Sequence, residues 1–138
     1  MGKKTDDKDT NGITDLLEAR DIKSMIYTIR GQQVMLDYEL AEIYGYTTKR
    51  FNQQVKNNIH KFPDDFRFQI TREEAEVLSR SKILTSMQTA GVKGGRSYLP
   101  YAFTEQGVYM LMTVLKGDLA TKQSITLVRL FKTMKDCL

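Results

Sequence analysis

Histidine and cysteine are nearly absent: His60 and Cys137 are the only ones among 138 residues. A structural zinc site draws on about four Cys or His ligands, so none is expected, and a metal could be held only by carboxylates. A single thiol cannot close an intrachain disulfide, and nothing points to an oxidising compartment. No nucleophile is tied to His60 by a recognisable motif. No catalytic residue, no cofactor and no enzymatic activity are therefore expected. Tryptophan is missing, and two prolines with nine glycines are too few for a collagen-like or low-complexity chain. No uncharged apolar run approaches the roughly 20 residues of a membrane-spanning helix. The start, MGKKTDDKDT, is too polar for a secretory signal. These absences leave one domain's length of chain, expected in the cytoplasm and off the membrane.

What is present is globular in character, with 41% hydrophobic and 28% charged residues. The net charge of +4 is unevenly placed. Residues 1–22 hold 4 basic and 6 acidic side chains, whereas residues 23–138 hold 17 basic and 11 acidic. The body of the chain is thus more basic than the whole, as suits a polyanionic partner. Residues 1–12 have one hydrophobic side chain, Met1, and read as a disordered leader. Ile13, Leu16 and Leu17 place a short helix over 13–23, too short to stand unsupported. The expected division is a flexible leader with a short helix at 1–22 and a domain at 23–138.

Within that domain, alternation around Gly31-Gln32 predicts a β-hairpin over 25–36. Phe66, Phe68 and Ile70 alternate with Arg67 and Gln69 as a half-buried strand. Thr71 and Glu74 form a capping box that opens a helix through about Lys82. SYLPYAF reads as an edge strand limited by Pro100, and Thr104 caps a helix to about Lys116. Gly117 stops that helix, and Asp118 caps the last one, with Ile125, Val128, Phe131 and Met134 expected inward. Helices and strands mix without βαβ alternation. The expected class is α+β: a small antiparallel sheet, a helix-turn-helix and a C-terminal helical hairpin.

The stretch 36–62, LDYELAEIYGYTTKRFNQQVKNNIHKF, carries the chemistry. Asp37 is placed to cap a helix that buries Leu40, Ile43 and Tyr44. Ala41 permits close approach, and Gly45 permits a positive φ at the turn. Thr47 or Thr48 caps a second helix whose inner stripe is Phe51, Val55 and Ile59. That layout is a helix-turn-helix. Its second helix, 48–58, offers Lys49, Arg50, Asn52, Gln53, Lys56 and Asn57, and from 49 to 61 there are four Lys/Arg and no acid. Arg and Lys suit guanine or phosphate, and Asn and Gln suit adenine in the major groove. Thr48, Lys49, Arg50, Asn52, Gln53, Lys56, Asn57 and Lys61 are the candidate DNA contacts. A solvated outer face of an ordinary helix pair is the alternative.

A second acid-free stretch holds Arg80, Lys82, Lys93 and Arg96 among glycines 91, 94 and 95. It is either a wing that touches phosphate or an exposed loop; it lacks the spacing of a phosphate-cradling nucleotide loop. Glu39 and Glu42 either share a metal or form a solvated face. Tyr98, Tyr101 and Tyr109 either stack on bases or fill the core. The apolar face of 119–134 either packs within the monomer or against a second copy, giving a homodimer.

Three blocks in this order, LAEIYG, NIHKFPDDFRFQIT and LPYAFTEQGV, resemble the KilA-N superfamily. More narrowly, they resemble the phage ORF-six N-terminal domain, related to the Bro N-terminal domain, over about residues 24–136. Leu40, Ala41, Tyr44 and Gly45 match the family's first helix, and Lys49, Arg50 and Asn52 its polar second helix. Asn57 stands where Arg is common, Phe51 where Leu is usual, and Arg67 where an apolar residue is typical. The resemblance implies a phage- or mobile-element-derived regulator of transcription, or an antirepressor-like protein, that binds double-stranded DNA. The other reading is a protein-interaction module that engages a repressor protein through the C-terminal helix.

Overall fold

In the computed structural model, residues 22–80 and 98–136 are described. The leader at 1–21, the glycine-flanked basic stretch at 81–97 and Cys137 lie outside them. The chain begins with a hairpin of β1 (Ile26–Ile29) and β2 (Gln32–Leu36). Its two loop residues are Arg30 and Gly31, at φ +56° and +76°. A tight hairpin turn of the primed kind needs positive φ at both positions, with glycine at the second. The turn is therefore one residue earlier than the expected Gly31-Gln32.

β3 (Arg67–Gln69) and β4 (Tyr101–Thr104) complete a four-stranded antiparallel sheet in the order β1-β2-β4-β3. β4 is central, which corrects the edge assignment of SYLPYAF. Pro100 precedes the strand, so its missing N–H costs the ladder nothing, and its carbonyl accepts the N–H of Ile70 at 3.0 Å. Met35 pairs with Phe103 and Leu36 with Ala102. Alternation sends Met35 and Phe103 to one face and Val34, Leu36 and Ala102 to the other.

Helix α3 (Arg72–Leu78) covers the second face with Ala75 and Leu78. Its capping box between Thr71 and Glu74 is complete. The first face carries α1 (Asp37–Tyr44), α2 (Thr48–Asn57), α4 (Glu105–Leu111) and α5 (Asp118–Asp136). Thr104 caps α4 by accepting the N–H of Gly107. The buried stripe of α5 is Ala120, Gln123, Leu127 and Phe131, whereas Ile125 and Val128 are 45% and 42% exposed. Phe131 is thus inward as expected, whereas Ile125 and Val128 are not. Gln123 sets the phase: its amide donates to the carbonyl of Ile43 at 2.8 Å, a bond only an inward Gln123 reaches. Asp118 opens α5 as its first residue, not as the residue before it.

Candidate nucleic-acid interface

Helix α1 starts directly after β2. Its N-cap is Leu36, with no side-chain cap bond, and Asp37 is its first residue, fully buried. The cap expected of Asp37 is thus displaced by one position. At the other end, Gly45 adopts φ +76°. The N–H of Gly45 bonds the carbonyl of Glu42 at 3.1 Å, and that of Tyr46 bonds the carbonyl of Ala41 at 2.8 Å. This paired closure satisfies the last carbonyls of α1 and turns the chain within three residues. Thr47 then caps α2, its hydroxyl oxygen accepting the N–H of Arg50 at 3.1 Å.

Phe51 and Val55 anchor α2, and both are fully buried. The Phe51 ring meets Phe103 of the central strand edge-on, with centroids 5.7 Å apart. Ile59, expected on the same stripe, is 48% exposed. The α-helix ends at Asn57, and Ile59–Lys61 form a tighter 3-10 turn that rotates the side chain outward.

The candidate contact side chains of α2 and the turn after it divide into two groups. Lys49, Arg50, Gln53, Lys56 and Asn57 are exposed, and Thr48 is half-buried. Arg50 carries its guanidinium over the Tyr46 ring at 5.9 Å, and Gln53 donates to Asn57 at 2.9 Å. Lys49 and Arg50 sit in the first turn, which has no acid. Cations there oppose the helix dipole by about 0.3–1 kcal/mol each, so helix stability does not explain their position.

Asn52 and Lys61 belong to the second group. The Asn52 amide nitrogen donates to Asp37 at 3.0 Å and to the Tyr98 hydroxyl at 3.3 Å, so it faces the sheet. Lys61 is half-buried and donates to the Thr113 hydroxyl at 3.2 Å. Arg80 is exposed at the far end of the α3 segment, while Lys82, Lys93 and Arg96 lie outside the described residues.

The Asp37 carboxylate was read in the sequence only as a cap. Burial pushes it above the ordinary carboxylate range, against the pull of donors from Tyr98, Asn52 and the N–H groups of Tyr101 and Tyr38. The Tyr98 hydroxyl is pushed up in turn by its own burial and by that carboxylate. Arg67 stacks on Tyr101 at 3.7 Å, and burial lowers its pKa. Glu39, expected as either a metal ligand or a solvated residue, is buried and accepts the Tyr27 hydroxyl at 2.9 Å. Tyr98 stands 61 residues from Asp37 in sequence, and no local periodicity links the two.

Among the described residues, no group of three His, Cys, Asp or Glu converges to hold a metal ion, and no helix is long and apolar enough to cross a membrane. A family model described as the ORF6N domain matches residues 24–114. The match takes in the hairpin, α1, α2, the sheet and α4, and stops before α5. No curated protein and no solved structure matches.

Proposed function

The chain belongs to the ORF6N domain family, and on that premise we propose that it is a DNA-binding regulator of phage type that reads double-stranded DNA through α2. The observation that carries the reading is the split character of that helix. Phe51 and Val55 are fully buried, while Lys49, Arg50, Gln53, Lys56 and Asn57 stand in solvent on a helix that carries no acid. The Gly45 turn and the Thr47 cap fix where this face begins. Lys49, Arg50 and Gln53 are assigned to base edges, and Lys56, Lys61 and Arg80 to phosphates. Recognition as a homodimer would set two α2 helices about 34 Å apart along one face of the duplex. The proposed role is binding in the cytoplasm, in transcriptional control and without catalysis. Metal-dependent cleavage of plasmid DNA by the pure protein would overturn that last point.

The test is an electrophoretic shift at two salt concentrations with the wild type and with Lys49→Glu/Arg50→Glu/Lys56→Glu. Each phosphate neutralised contributes about −0.9 to the slope of log affinity against log salt. Steep salt dependence in the wild type and loss of binding in the triple variant are expected. Absence of any shift at low salt sinks the reading.

A second reading rests on the corrected phase of α5. Its exposed Ile125 and Val128 line a groove of about 380 Å³ with Met112, Leu115 and Ala120. An antirepressor that engages a repressor protein would use such an apolar face. Regulation that survives the triple charge reversal but is lost in Ile125→Lys/Val128→Lys favours this reading over the first.

A further inference from the structure

Three segments distant in sequence converge on one carboxylate. Asp37 Oδ1 accepts the N–H of Tyr38 at 2.7 Å, the local bond of a helix start. Oδ2 accepts the Asn52 amide at 3.0 Å and the Tyr98 hydroxyl. The Asn52 amide also reaches the Tyr98 oxygen at 3.3 Å, so the three side chains close a ring. The backbone N–H of Tyr101, the first residue of β4, also favours the charged form of this carboxylate. Asp37 is 0% exposed.

Starting a helix does not require this. An exposed Ser, Thr or Asp does that work at a helix end, whereas a buried carboxylate carries a desolvation penalty that its bonds only offset. What the ring adds is direction. Two apolar side chains, Phe51 and Val55, hold α2 on the core, and hydrophobic contact is non-directional. A ten-residue helix resting on one such stripe is held less firmly in rotation about its axis than in its distance from the core. Asn52 lies about 100° around the helix from Phe51, and its hydrogen bond to a fixed acceptor stops that roll.

We propose that Asp37 is a positioning residue for DNA recognition: through Asn52 it sets the rotation of α2, and through Tyr98 it ties that rotation to the strand entering β4. The inference rests on the DNA-binding reading and assigns Asn52 to orientation instead of to a base edge. Lys49, Arg50 and Gln53 meet base edges in one register only while the ring is closed. Phosphate contacts tolerate a roll far better, because a cation on a flexible stem follows its partner.

The experiment compares a duplex selected from a random pool with a random duplex, for wild type, Asp37→Asn and Tyr98→Phe. Asp37→Asn keeps one acceptor oxygen and turns the other into an NH2 donor, so either the Tyr38 N–H or the Asn52–Tyr98 pair loses its acceptor; Tyr98→Phe removes one hydroxyl and keeps the ring. Lys56→Ala serves as the phosphate control. Asp37→Asn is expected to lower affinity for the selected duplex about 10-fold or more. Tyr98→Phe should act in the same direction by less. In both, random-duplex affinity and the salt slope should stay at wild-type values. Lys56→Ala should instead weaken both duplexes alike and reduce the slope by about 1. A purely structural role would lower both affinities together with the thermal midpoint, and that result overturns the inference. So does an unchanged ratio between the two duplexes in both variants. If the wild type binds neither duplex, the DNA-binding reading itself falls. If it binds and the variants keep the ratio, only the role of Asp37 falls.

Discussion

At the scale of single residues, one glycine and one ion pair away from α2 give direct tests of stability. A Cβ on Gly107 would lie 1.9 Å from the carbonyl oxygen of Phe66. The obstacle is backbone and cannot rotate away. Gly107→Ala is expected to cost about 1–3 kcal/mol, read as a lower urea midpoint. Arg30 and Glu74 give a pH signature. Arg30 Nε donates to Glu74 at 2.8 Å, and that bond, with help from the capping box, holds Glu74 below the usual glutamate range. A depressed carboxyl contributes stability that is complete above its unfolded value and is lost as pH falls through the folded value. With side chains 43% and 24% exposed, the pair is worth less than about 1 kcal/mol. Wild type should therefore exceed Arg30→Gln in stability by a few tenths at neutral pH. The gap should close in acid as Glu74 protonates, which urea titrations at several pH values will show.

At the scale of elements, the helix pair α1–α2 and its turn were largely legible. Ala41, Gly45 and a threonine cap are local signals, and each acts within one turn of backbone. Thr47, not Thr48, proved to be the cap because only its hydroxyl lies three residues before an unpaired N–H. Helix α5 was less legible. Its sequence carries apolar residues on most sides, so Ile125 and Val128 competed with Ala120 and Leu127 for the inward stripe. Gln123 decided between them by reaching the carbonyl of Ile43, at the end of α1. The expected consequence is asymmetric. Leu127→Ala should cost about 2–5 kcal/mol. Ile125→Lys should stay within about 0.5 kcal/mol of wild type. Equal losses in chemical denaturation would refute the assigned phase.

At the scale of the whole molecule, the sheet is the base on which the proposed reading surface is aimed. Phe103 in the central strand meets Phe51 of α2 and Phe62 of the following turn, at 5.7 and 5.8 Å. α1 and α5 meet through Gln123 and through the Tyr44 hydroxyl, 2.7 Å from that of Ser124. A lesion in the sheet should thus reach DNA binding without touching a cation. Phe103→Leu is expected to lower stability and affinity together while leaving the salt slope unchanged, since no phosphate contact is lost. A changed slope would place Phe103 closer to the duplex than its burial allows.

The amino-acid order by itself determined what is short-range: the class of the fold, the Gly45 turn, the caps at Thr47, Thr71 and Thr104, and an acid-free basic helix from Thr48 onward. Each depends on backbone preference or periodicity across a few residues. Tertiary structure alone decided the central place of β4, the inward phase of α5 and the capture of Asn52 by Asp37 and Tyr98. Those outcomes depend on which surfaces meet once the chain has collapsed. A buried hydrogen bond between residues tens of positions apart leaves no periodic trace in the sequence, so a side chain suited to reading a base turned out to face the sheet.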